Sequence, residues 1–133
     1  MTALAKARNT PARAGRNLGI GVKAATVIWL GAMVALDGGF AAPGRTAVGL
    51  KGLGRAKGTV DNSAGANGDL TVEIDRGVYL FDNAGADLIT NADIGNDAYM
   101  VDDQTVARTN GGSTRSVAGK VHEVTSSGVW IEF

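Results

Sequence analysis

AATVIWLGAMVAL, residues 24–36, is the stretch on which the fold turns. It is thirteen residues long, apolar throughout, and bounded by Lys23 and Asp37. A membrane span needs about 20 such residues, so the run is too short to cross a bilayer. Its periodicity allows a helix. Against a helix, Thr26, Val27 and Ile28 are β-branched and stiff at χ1, and Gly31 interrupts the run. Two strands over 26–30 and 32–36, or one bulged strand, fit better. A rival reading makes 24–36 the apolar core of a secretory signal spanning residues 1–42, with Phe40-Ala41-Ala42 as the small-residue cleavage site. The 23-residue charged leader is long for that purpose.

Working outward toward the C-terminus, Asp37-Gly38-Gly39 signals a turn, 40–42 returns as a strand, and Pro43-Gly44 turns again. Segments 46–50 and 53–59 read as strands interrupted by glycine, and 61–69 (DNSAGANGD) as a polar loop. Then Leu70, Val72 and Ile74 alternate with Thr71, Glu73 and Asp75, the period of a half-buried strand. Residues 78–81 are apolar on both faces, which suits a strand sandwiched in the core or lying in a subunit interface. A turn at 82–85, a helical turn or two near 91–96 and a strand at 98–101 follow. The chain closes with strands at 117–124 and 129–133, joined as a hairpin through Ser126-Ser127-Gly128. Many short strands with Gly/Asn/Asp turns predict an all-β domain, a small barrel or sandwich, over residues 24–133. No internal repeat stands out.

Outward in the other direction, residues 1–23 read as an extended arm. Pro11 disfavours helix at Thr10, and no apolar period is sustained. The arm carries five bases, Lys6, Arg8, Arg13, Arg16 and Lys23. The whole chain is neutral, but its signs are segregated. Residues 1–57 hold nine Lys/Arg and one acid, Asp37, whereas 61–103 hold ten acids and one base, Arg76. Such segregation bears on partners more than on fold. Twenty glycines and only two Trp, two Tyr and three Phe predict a thin core, one that gains from subunit contacts.

The chemistry of catalysis is poorly represented. There are no cysteines, which removes disulfides, thiolate nucleophiles and Cys-based metal sites. The single histidine, His122, has no evident nucleophile or orienting carboxylate in the sequence. Gly19-x-Gly21-x-x-Ala24 matches a loose dinucleotide pattern without the preceding strand that pattern needs. The glycine-rich stretch 49–58, with its lysines and arginine, reads as turns rather than a phosphate cradle. The aspartates Asp61, Asp69, Asp82, Asp87, Asp93, Asp97, Asp102 and Asp103 lack the spacing of a calcium loop. The arm has no aromatic residue for base stacking, and the acidic body would repel a duplex. The expectation is a non-enzymatic protein with no cofactor or metal, binding protein rather than nucleic acid or membrane.

Several stretches carry a resemblance: MTALAKARNTPARAG at the start, then GAMVALDGGFAAPG, GTVDNSAGANGDLTVEIDRGVYLFDN, ADIGNDAYMVDDQTVA and the closing RSVAGKVHEVTSSGVWIEF. Together they resemble the small head-decoration, or cement, proteins of Mu-like tailed bacteriophages. The resemblance covers most of the chain and contains no catalytic signature. Gly19 to Lys23 is more glycine-rich and basic than that family's pattern. The resemblance implies a β-rich, β-tulip-like body that forms homotrimers on the outside of the head. It also implies an N-terminal arm that lies along the major capsid protein and clips capsomers together. On that reading Leu4, Lys6, Arg8, Thr10, Pro11, Arg13, Arg16 and Leu18 contact the capsid. Trp29, Tyr79, Phe81 and Trp130 are candidate core or trimer contacts. The protein would be made in the host cytoplasm and end in the virion. Other non-enzymatic roles in a tail or head–neck assembly share the same features.

Overall fold

The computed structural model describes Ala3, residues 5–9 and residues 15–133. Within them run the strands β1 (Asn17–Gly21), β2 (Thr26–Ile28), β3 (Met33–Asp37), β4 (Phe40–Pro43), β5 (Lys51–Ala56) and β6 (Val60–Asn62). They continue with β7 (Thr71–Asp75), β8 (Val78–Asn83), β9 (Asp97–Met100), β10 (Thr105–Ala107), β11 (Val117–Thr125) and β12 (Gly128–Glu132). One 3₁₀ turn, Asn91–Asp93, is the only helical element among the described residues. The all-β expectation holds.

The chain divides at Arg76-Gly77 into two lobes. Strands before the division form a five-stranded antiparallel sheet in the order β1-β7-β5-β3-β4, with β2 and β6 paired separately. Strands after it close into a five-stranded barrel, β10-β8-β12-β11-β9. All the barrel's ladders are antiparallel except β10 on β8, which is parallel. Closure leaves the barrel without an edge.

Strand β3 explains how the lobes become one body. Met33, Val34 and Ala35 are all fully buried, because β3 is covered on both faces. Met33 and Ala35 point into the barrel core with Phe81, Ile89, Met100, Val121, Val129 and Ile131. Val34, between them, points the other way, into a second core with Val22, Ile28, Ala41, Leu53, Val72 and Ile74. A period-two strand with apolar residues at every position serves two cores at once. That is why 32–36 reads as continuously hydrophobic. Gly52 on β5 marks a close approach of the lobes: a Cβ there would overlap the carbonyl oxygen of Ala118 on β11.

Several local expectations are corrected. The arm does not extend to residue 23, because Asn17–Gly21 is strand β1, paired in register with β7 from Asn17↔Asp75 to Gly21↔Thr71. Segment 46–50 is not a strand. Its polar groups are held by bonds across to the other lobe: the Thr46 hydroxyl donates to the Val101 carbonyl, the Ser116 hydroxyl to the Ala47 carbonyl, and the Leu50 N–H to the Ser116 oxygen. The start of the expected loop at 61–69 belongs to β6. There Asn62 is buried, and its amide donates to the carbonyls of Val22, Lys23 and Ala66.

Candidate functional site

Two surfaces gather the residues singled out from the sequence, and the first is where the N-terminal segment leaves the body. The described residues of that segment, including Lys6 and Arg8, are exposed. Leu4, Thr10, Pro11 and Arg13 lie outside the described residues. At the root, the Arg16 carbonyl accepts the Arg76 N–H at 2.7 Å. The Arg16 Nε donates to Asp75 at 2.8 Å, and Arg55 reaches the same carboxylate at 3.4 Å. The Arg55 guanidinium also lies 4.2 Å from the centre of the Tyr79 ring, a cation–π contact that ties sheet to barrel.

Hydrogen bonding from Arg16 is the largest influence on Asp75 and holds its carboxyl at about 2, against an ordinary 3.8. The side chains around Asp75 leave it only 7% exposed, but it sits at shallow depth and the Arg16 side chain over it is 66% exposed. Water therefore screens the cluster, and its role is to fix position. The Tyr79 hydroxyl is buried beside this cluster without a well-formed hydrogen bond, and that burial pushes its pKa up. Arg16 is thus engaged within its own body. Leu18 likewise packs against the sheet-lobe core. Both residues therefore serve the chain's own packing, while the Arg16 side chain stays 66% exposed.

The second surface is a turn at 29–32 between β2 and β3. Trp29 is 63% exposed and Leu30 66%. The turn is tightly held. The Ala32 N–H donates to the Trp29 carbonyl, the Gly31 N–H to Ala56, and the Leu30 N–H to the Thr59 hydroxyl, all at 2.9–3.0 Å. Gly31 takes φ +87°, a conformation costly for other residues. Beside the turn, Ala32, Asp103 and Gln104 line a shallow cleft. Burial first, then the neighbouring Asp102 charge, raise the pKa of Asp103. A rigidly displayed Trp-Leu pair next to carboxylates is a surface suited to a partner with apolar and basic groups.

The four aromatic candidates separate. Phe81 is buried in the barrel and stacks edge-on with Phe133 at 5.9 Å. Tyr79 packs partly buried at the same end. Trp130 is half-buried; its neighbours Val129 and Ile131 fill the barrel, so it stands on the outer wall opposite Leu80, which is 40% exposed. Trp29 is not a core residue. Sequence reasoning missed Leu30, although its place beside Trp29 and before a glycine was a readable sign of a displayed turn.

His122 is exposed, the extra residue where the register of β11 against β12 shifts between Val121 and Glu123. Among the described residues no group of three or more His, Asp or Glu side chains is placed to hold a metal ion, and no helix is long and apolar enough to cross a membrane. Comparison of the chain with protein-family models, curated proteins and solved structures finds no match.

Proposed function

We propose that this chain is a structural virion protein that binds the outer surface of a tailed-phage capsid as a homotrimer and stabilises the mature head. The observation that carries the reading is the N-terminal segment. It is basic in sequence, its described residues before Arg16 are exposed, and Arg16 at its root is clamped to Asp75. A segment anchored at its root could lie along a neighbouring surface, pairing Lys6 and Arg8 with carboxylates and offering main-chain hydrogen bonds. Arg13, Leu4 and the Thr10-Pro11 pair would serve the same contact. Trp29 and Leu30, with Leu80 and Trp130 on the barrel wall, are the surfaces available for contact between copies. No bond is made or broken. Binding that favours the mature shell over other states stabilises that shell, and many weak contacts on one lattice add up.

The test is a deletion of residues 2–15, which leaves Arg16 and β1 in place. The truncated protein should keep the thermal stability of the full chain, within ~0.5 kcal/mol, and fail to co-sediment with expanded capsids. Near-stoichiometric ratios of full-length protein to shell subunit support decoration; a few copies per particle would point to a neck or tail component. Normal capsid binding by the truncated protein would overturn the role given to the arm.

A further inference from the structure

The chain contains two Asn-Gly dipeptides, Asn67-Gly68 and Asn110-Gly111, and both lie in exposed turns. Asn-Gly is prone to self-modification because glycine has no Cβ to obstruct its own nitrogen. The Gly nitrogen attacks the Asn side-chain carbonyl carbon. A new N–Cγ bond forms, the Cγ–Nδ2 bond breaks and ammonia leaves. The nitrogen's proton passes by way of solvent to the departing amide nitrogen, which leaves with three hydrogens. The resulting five-membered succinimide is opened by water at either carbonyl, giving aspartate or isoaspartate. No oxidant or reductant takes part.

The structure treats the two sites differently. At the first, the attacking nitrogen is already committed: the Gly68 N–H donates to the Val22 carbonyl at 2.9 Å, against a fully buried residue. The Asn67 Oδ1 accepts the Ala24 N–H at 2.8 Å. Cyclisation there must break the junction between β1 and β2. At the second, the bonds are longer and local. The Gly111 N–H reaches the Thr109 hydroxyl oxygen at 3.3 Å, and that hydroxyl donates to Asp87 at 2.6 Å. The Asn110 Oδ1 accepts the Ser113 N–H at 3.2 Å, a longer bond than the one at Asn67 and one confined to its own loop. Gly111, Gly112 and Ser113 all have positive φ, at 63°, 72° and 68°. Ser113 holds that conformation at a cost glycine would not bear.

We infer that Asn110 is a site of spontaneous succinimide and isoaspartate formation in the folded protein, and that Asn67 is protected by the fold. Conversion places an extra main-chain carbon within the loop whose Asn110 carbonyl accepts the N–H groups of Thr114 and Arg115. It also adds a negative charge near the Arg115–Asp87 pair. The exposed loop 109–115 would change shape and charge with age, while the two cores stay untouched. This inference is independent of the capsid reading.

The experiment is to incubate the full chain at mildly alkaline pH and quantify isoaspartate in the peptides containing each site by mass spectrometry, folded and in urea. In urea both sites should convert at similar rates. In the folded protein Asn67 should be slowed roughly tenfold or more relative to Asn110, the ratio expected if breaking the Gly68 bond adds ~1.4 kcal/mol to its barrier. N110Q, whose longer side chain closes a less favourable ring, should lose the Asn110 signal and leave the Asn67 rate unchanged. Equal rates at the two sites in the folded protein, or faster conversion at Asn67, would overturn the inference.

Discussion

The sheet lobe and the barrel lobe are built from the same short strands but finish their hydrogen bonding differently. The barrel joins its last strand to its first, so its backbone pairing is complete and its core can be filled with Phe81, Ile89, Met100 and Ile131. The sheet stays open between β1 and β4, which form no ladder; a parallel bridge at Val22 and Ala41 lies just beyond β1. Among the described residues its core is made of Val, Ala, Ile and Leu53, with no aromatic residue or Met. Charges hold its rim: Arg16 and Arg55 on Asp75, Lys23 and Arg45 on Asp37. The N-terminal segment and the exposed Trp29-Leu30 turn both belong to this open lobe. A closed ladder supplies rigidity, and an open one leaves chain and edge free for contact.

The comparison is broken most directly at Gly52, where the lobes meet. Gly52→Ala would drive a methyl group into the Ala118 carbonyl, backbone against backbone, with no flexible side chain to give way. The expected loss is about 3 kcal/mol or more in chemical denaturation. A smaller effect than that of a surface substitution elsewhere on β5 would mean the lobes are not pressed together at this point.

Next come two substitutions on one strand. Met33→Ala opens a cavity in the barrel core and should cost about 3 kcal/mol. Val34→Ala, one residue on, opens a smaller one in the sheet core and should cost about 2 kcal/mol. One tryptophan reports on each lobe, Trp29 on the sheet and Trp130 on the barrel. Coincident shifts of both signals in each variant would establish a single cooperative unit. Separate shifts, Met33→Ala at Trp130 and Val34→Ala at Trp29, would show that the lobes unfold independently.

How far this division was legible in the sequence depends on where each residue's partner lies. Strand β7 and the β11–β12 hairpin were readable because alternation and a tight turn are local signals. Strand β10 was missed; it is three residues long, and beyond its short hairpin with β9 it depends on a parallel pairing with the distant β8. Segment 46–50 looked like a strand by composition, but Ser116 and the Val101 carbonyl of the other lobe satisfy it. The root of the arm was misread for a different reason. Leu18, Ile20 and Val22 do alternate with glycines, but the period begins directly after four bases and was absorbed into the basic segment. Nothing local marks Asp75 as the partner of Arg16, 59 positions away. The displayed turn at Trp29 was hidden inside an apolar run that otherwise fills two cores.

Acid should separate the lobes more gently. Asp75 has a folded-state value of about 2 and an ordinary value of 3.8. A carboxylate with a depressed folded value stabilises fully above the unfolded value, and that contribution disappears as pH falls through the folded one. Between pH 3.8 and about 2 the root cluster should therefore loosen, freeing β1 from β7. Asp37, lowered by Lys23 and then Arg45, weakens the same lobe. The lowered carboxylates of the barrel lobe, Asp87 and Asp93, secure loops instead of strand ladders. Amide exchange should thus rise first in β1 on acidification. Asp75→Asn should be less stable at neutral pH and lose less between pH 3.8 and about 2 than the unmodified chain.

The smallest effect on stability should come from Trp29→Ala. A side chain 63% exposed leaves little apolar surface to return to water, and the turn is held by backbone bonds that alanine retains. The expected change in unfolding free energy is within ~0.5 kcal/mol. Contact is another matter: an exposed Trp on a rigid turn is the kind of anchor whose removal costs an interface about 2 kcal/mol. Self-association measured by sedimentation, or capsid binding, should therefore weaken by more than roughly tenfold while the melting curve stays put. Trp130→Ala, which uncovers part of the barrel wall, should lower stability as well. If Trp29→Ala instead destabilised the fold and left every association unchanged, the open lobe would be displaying its tryptophan to no partner, and its contact role would rest on the N-terminal segment alone.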